Sequence, residues 1–291
     1  GGISEDRLPD SRLLGKYRLL SSRLQAVAMT RHITGCYPEY TCGEHYLIEN
    51  SADCERIVSA MHTCLLKVPW SGSGKGLNWC LHGLTKPVAN WCERILKEQG
   101  CLTAEPIYNK VKDFALEFYS DGRGEVLFAG YSMFSTNEHG AYTGNLIASD
   151  GQIEEMVAHY LPLKELVLMR GSLCTELAAI YGNTYTGYLG VDMMLCRQEK
   201  GQGYVVHPCV EINMRMNMGV VARLFYDNFV LSGRTGYFNI EYFPDNEALR
   251  VRHEQDMRDW PLITESGRIV SGYLPLVPVT PKSCYRAYVR I

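Results

Sequence analysis

Between Ser21 and His32, Leu24, Val27, Ala28 and Arg31 recur at three-to-four spacing and predict an amphipathic helix with a serine cap, ending at Gly35. The grammar returns from Ser51 to His62. There Asp53 and Glu55 suit a helix N-terminus, and Ile57, Val58 and Met61 form an apolar stripe. Cys64 to Val68 reads as a short buried strand. A loop from Pro69 to Gly76, a turn from Leu84 to Pro87 and a helix from Val88 to Gln99, closed by Gly100, complete the order strand, glycine-rich loop, helix.

Beyond Leu102 the period changes to extended segments: LTAEPIY, the alternating DFALEFYS, a DGRG turn and EVLFAGYSMF predict an antiparallel meander. A lobe boundary is therefore expected between Cys101 and Pro106. Gln152 to Tyr181 is helical with a break at Pro162; Gly187–Cys196 and Gly203–Asn213 are strands joined by RQEKGQG, and a helix from Met218 to Leu231 follows. From Gly233 the chain is turn-rich with short strands, and no function can be read there. The expected division is a short N-terminal extension (1–20), an N-terminal lobe (21–104) and a C-terminal lobe with its tail (105–291).

With 291 residues and 46% hydrophobic content the chain can bury a sizeable core, and a formal net charge of -3 gives no general attraction for nucleic acid or an anionic membrane. Its 11 cysteines are odd in number and scattered, with no C-x-x-C pair, which points to reduced, structural thiols. The apolar run from Met156 to Met169 is broken by His159, Pro162, Lys164 and Glu165, so no bilayer span is expected. No signal peptide opens the chain, which starts at Gly1 without an initiator Met as a processed or trimmed form would. A soluble, cytoplasmic protein is expected.

Two stretches carry candidate chemistry. In LLKVPWSGSGKGL, Ser71, Gly72, Ser73, Gly74, Lys75 and Gly76 could close backbone N–H groups around phosphate oxygens, with Lys67 supplying charge from the strand before. It is not a P-loop, since Pro69 and Gly76 stand where that motif needs Gly and Ser or Thr. A plain surface turn fits the same residues. In HPCVEINMRMNMG, Glu211 and Asn213 share one face of a strand, Arg215 continues the alternation, and the RQEKGQG hairpin can bring Asp192 opposite. Two carboxylates and an amide oxygen suit magnesium better than zinc, although a solvated strand face reads the same way.

Together, Lys67 before SGSGKG, the boundary AEPIYNKVKDF, and GVDMM followed by EINMR resemble the ATP-grasp superfamily, from about Ser21 to Leu231. The resemblance implies an α+β fold in which two lobes grip ATP, with an antiparallel sheet in the C-terminal lobe. It implies that Lys67 touches the α- and β-phosphates, that Ser71 to Gly76 form a flap over the β- and γ-phosphates, and that Arg23 takes the place of a family lysine. Glu105 would lie beside adenine and Asp113 would bond ribose. Asp192, Glu211 and Asn213 would hold Mg2+, and Arg215 would steady the transferred phosphate or the substrate carboxylate.

The implied activity is an ATP-dependent carboxylate–amine ligase acting through an acylphosphate on a small-molecule or peptide acid. The alternatives are a kinase on the same scaffold and a non-catalytic ATP-binding module. The family's usual preceding domain has only about twenty residues before Arg23 to match it here, and a partner domain or subunit, a missing N-terminal part or a large substrate would supply that wall. Of the family's basic residue between the lobes, only His139 offers an equivalent.

Overall fold

The computed structural model describes residues 10–71, 76–137, 142–198, 201 and 203–291. Asp10 caps helix α1 (Ser11–Leu20) by accepting from the Leu13 amide. This helix lies in the stretch expected to be a short extension. Ser21 closes α1, its hydroxyl donating to the Arg18 carbonyl, instead of capping α2 (Leu24–Cys36). The buried face of α2 is Ala26, Met29, Thr30 and Ile33, not the expected stripe from Leu24. Both sets have helical spacing. Packing decides between them: Met29 and Ile33 enter the large core, and Thr30 Oγ1 donates to the Cys209 carbonyl at 2.8 Å.

A smaller antiparallel sheet follows, built from β1 (Tyr46–Ile48), α3 (Ser51–Met61), β2 (Cys64–Lys67), β3 (Leu77–Cys80), α4 (Lys86–Gln99) and β4 (Leu102–Glu105), with strand order β1-β4-β2-β3. Alternation sends Cys64, Leu66, Leu102 and Ala104 into a core with Ile57, Val58, Cys92 and Ile95 of the two helices. Leu65, Lys67, Thr103 and Glu105 therefore share the opposite face. Strand β3 corrects the expected strand–loop–helix order, because the glycine-rich loop joins two strands of a hairpin. With Asn78 and an exposed Trp79, LNWC lacks a legible strand pattern, and it is pairing with β2 that makes it one.

The rest of the chain forms β5 (Lys110–Asp121), β6 (Val126–Thr136), β7 (Tyr142–Ile147), α5 (Asp150–Ala158), α6 (Leu163–Tyr181), β8 (Thr186–Arg197), β9 (Tyr204–Asn213), α7 (Met218–Phe229), β10 (Gly236–Tyr242), α8 (Asn246–Asp259), β11 (Ile263–Glu265), β12 (Arg268–Ser271), β13 (Tyr273–Pro275) and β14 (Tyr285–Arg290). Eight strands make one antiparallel sheet, β13-β14-β10-β7-β6-β5-β8-β9, while β11 and β12 pair separately. Residues after Gly233 thus extend the sheet. On one face Phe114, Leu116, Phe118, Val191 and Met193 pack with Leu166, Met169, Leu173 and Leu177 of α6 and with α2. Asp113, Ala115 and Glu117 alternate onto the other face, and α7 covers part of it through a core of Ala222, Tyr226, Ile147 and Phe238.

Strand β9 ends the sheet, and the segment around Thr41 runs beside it. Cys42 N–H donates to Val206 O, and Val206 N–H donates to Tyr40 O, each at 2.9 Å. All eleven cysteines are free. No helix among the described residues is long and apolar enough to cross a membrane.

Candidate functional site

In the β8–β9 hairpin the register next to the turn pairs Met194 with His207, and an irregularity between Asp192 and Met194 then shifts it so that Asp192 lies opposite Glu211. Asn213 Nδ2 donates to Asp192 Oδ2 at 3.0 Å, and Arg215 donates to Asn213 Oδ1 at 3.0 Å. Asp192, Glu211, Asn213 and Arg215 therefore sit together, with the amide oxygen turned to the arginine. The Asp192 carboxyl is held well above the usual carboxylate range, by burial first and then by the charges of Glu211 and Glu117. Two carboxylates forced together in this way are what a divalent cation would relieve.

Arg23, nearly buried before α2, links this pair to the glycine-rich loop. Its guanidinium donates to Val68 O (3.3 Å), Ser71 Oγ (3.3 Å) and Glu211 Oε1 (3.4 Å). Gly76 closes the loop: its φ of +76° and the position a Cβ would take, 2.4 Å from Val68 Cγ2 and 2.8 Å from Ser71 Cβ, exclude a side chain. Gly72, Ser73, Gly74 and Lys75 lie outside the described residues, as does His139. Trp70 anchors the loop to α1, donating from Nε1 to Arg18 O at 2.7 Å under the Arg18 guanidinium.

Lys67 is buried and ion-paired with Glu105 Oε1, and burial pulls its pKa down against the pull of Glu105. The other carboxylate oxygen faces His45 Nδ1 at 3.4 Å without hydrogen-bond geometry. Asp113 opens β5, where its Oδ2 accepts from Lys110 Nζ (2.6 Å) and Thr136 Oγ1 (2.9 Å). It lies opposite Met194, which in turn lies opposite His207. The predicted residues thus fall in two neighbouring groups, Arg23 with Ser71 and the β8–β9 residues, and Lys67 with Glu105, while Asp113 stands at the start of the next strand.

Three charged or titratable residues at this place escaped the sequence reading. Glu117, fully buried on β5, accepts from Asn217 Nδ2 at 2.7 Å, and burial raises its pKa to about 7 against that bond and the charge of Arg215. Its signal was a lone acid inside the apolar alternation Phe114, Leu116, Phe118. His45 and His207 are the others. Burial lowers His45 to about 4 and His207 well below its usual range. Both nitrogens of each ring, together with Glu105 Oε2, are buried without a hydrogen-bond partner. Such groups each cost about 1–3 kcal/mol and are rare in native folds.

Among solved structures, N5-carboxyaminoimidazole synthetase from Staphylococcus aureus, complexed with ADP, superposes with a TM-score of 0.54 at 11% identity, over 92% of this chain and 67% of that one. The biotin carboxylase domain of Hydrogenobacter thermophilus 2-oxoglutarate carboxylase, with ADP, its magnesium salt and bicarbonate, gives 0.55 at 13% identity, over 94% and 62%. The fold is that of the ATP-grasp proteins. A further ATP-grasp match, N5-carboxyaminoimidazole ribonucleotide synthetase from Thermus thermophilus, gives 0.51 at 15% identity over 98% and 71%. This chain spans about two thirds of the length of these structures. No protein-family model and no curated protein matches the sequence.

Proposed function

We propose that this chain is the catalytic core of an ATP- and Mg2+-dependent carboxylate–amine ligase. The observation that carries the reading is the Arg23 bridge, which joins the glycine-rich loop at Ser71 to Glu211 of the facing Asp192–Glu211 pair. A phosphate loop and a carboxylate pair held by one guanidinium is an arrangement suited to a metal–polyphosphate.

In this reading Asp192, Glu211 and Asn213 would hold Mg2+. Bound magnesium neutralises charge on the phosphoryl group in transfer. Arg23, Lys67 and the loop from Ser71 to Gly76 bind phosphate, Glu105 lies by adenine and Asp113 by ribose. Arg215, exposed after β9, is free to swing from Asn213 onto the transferred phosphate or the substrate carboxylate. Stabilisation of charge by these groups, rather than a nucleophilic side chain, carries the step. The substrate acid takes the γ-phosphoryl group, and an amine displaces phosphate from the resulting acylphosphate.

The test uses Mg-ATP, a panel of amino acids and small peptides, and hydroxylamine. A ligase gives a hydroxamate together with ADP and free phosphate. Phosphate retained on a stable ester means kinase chemistry and overturns the ligase reading.

A further inference from the structure

Beside the phosphate-loop residues, the ends of three segments from both sheets bring together His45, just before β1, Glu105, the last residue of β4, and His207 of β9. One ligand atom from each lies within 4.8 Å of the others. The His45 and Glu105 side chains are 6% and 4% exposed, and His207 is 0% exposed. The rings meet edge to face with centroids 5.3 Å apart, and five of their nitrogen and oxygen atoms have no hydrogen-bond partner.

From this juxtaposition we infer a second metal site, in which His45, His207 and Glu105 bind one first-row transition-metal dication, zinc being the best match. Two imidazoles and a carboxylate are a borderline donor set suited to such ions, whereas the oxygen set of Asp192, Glu211 and Asn213 is suited to magnesium. The ring nitrogens and Glu105 Oε2 are buried without a hydrogen-bond partner, which leaves them open to a cation. Gly43 runs beside the His207 ring at φ +136°, where a Cβ would stand 3.3 Å from Nε2. Glu105 serves both neighbours, one oxygen to Lys67 and the other to the metal. The bound ion clasps the smaller sheet to the larger one. The inference does not depend on the ligase reading.

The test uses the full chain, kept reduced, stripped with a chelator and titrated with Zn2+ against a chromophoric chelator, then with Co2+ followed by absorption. One equivalent is expected, with visible ligand-field bands and no intense near-ultraviolet sulfur-to-metal band. His45→Ala and His207→Gln should each weaken binding 100-fold or more with unchanged circular dichroism. Lys67→Met, which removes a neighbouring positive charge, should tighten it, and Asp192→Asn should leave one equivalent bound. If His207→Gln does not fold, His45→Ala decides alone. Absence of tight Zn2+ binding, a sulfur band, or affinity indifferent to His45→Ala overturns the site. The effect of Mg-ATP on melting, measured separately on the stripped chain, reports on the nucleotide reading by itself.

Discussion

Glu211 stands directly across the β8–β9 ladder from Asp192, and the repulsion between them helps to hold the Asp192 carboxyl above its ordinary range. A carboxyl raised in this way favours the protonated folded state, so its contribution to stability is full at low pH and is lost as pH rises through the raised pKa. Asp192→Asn should therefore make the metal-free protein more stable than the parent at pH 8. The same variant should lose most of the Mg-ATP stabilisation seen in thermal melts. A metal-free protein destabilised by Asp192→Asn at pH 8 would contradict the electrostatic account.

Glu117 allows a second pH prediction. Its pKa rises from 4.5 to about 7 on folding, so its stabilising contribution is present below pH 4.5 and fades as pH rises through 7. Glu117→Gln keeps an acceptor for Asn217 and removes the buried charge. In urea titrations its stability relative to the parent should improve between pH 5 and pH 8 by roughly 2–3 kcal/mol. A difference independent of pH would show that Glu117 titrates normally.

Lys67 and Glu105 should be strongly coupled. Removing either leaves the other buried with an uncompensated charge, so Lys67→Met and Glu105→Gln should each cost about 3–5 kcal/mol, and the double variant much less than their sum. Additive costs in a double-mutant cycle would rule out the pair. On the proposed function, the double variant also loses nucleotide affinity although its fold is kept, and a competition assay with a fluorescent ATP analogue reads this directly.

Two helical glycines should respond oppositely to alanine. At Gly219 in α7 a Cβ would fall 2.0 Å from Glu117 Oε1 and 2.7 Å from Ser132 Cβ, whereas at Gly35 in α2 nothing lies within 4 Å. Gly219→Ala should cost about 1–3 kcal/mol through overpacking, and Gly35→Ala should gain roughly 0.5–1 kcal/mol from helix propensity. Equal melting temperatures for the two variants would show that the contact at Gly219 relaxes freely.

The parts of this protein legible in its sequence are those made by neighbours in the chain. DFALEFYS and EVLFAGYSMF alternate around a DGRG turn, and their pairing as β5 and β6 needed no knowledge of the rest. Asp192 and Glu211 met because one hairpin joins their strands. Strand β3 was not legible, since LNWC becomes a strand only through β2, and α8 was hidden because it buries only Leu249 and Asp256 and so shows no apolar stripe. The cluster of His45, Glu105 and His207 is assembled by three separate segments, so no spacing could announce it. The buried face of α2 was likewise set by what it packs against.

The run from Tyr40 to Cys42 does more than connect helix to strand. By bonding Val206 on both sides it occupies part of the margin of β9 that would otherwise offer free amides and carbonyls to another molecule. At the opposite margin β13 is only three residues long and ends in Pro275, which has no N–H to give. An eight-stranded sheet with a covered flank at one side and a truncated one at the other resists end-to-end growth into fibrils. Loosening residues 40–42 should therefore show itself first as self-association, before any loss of the fold.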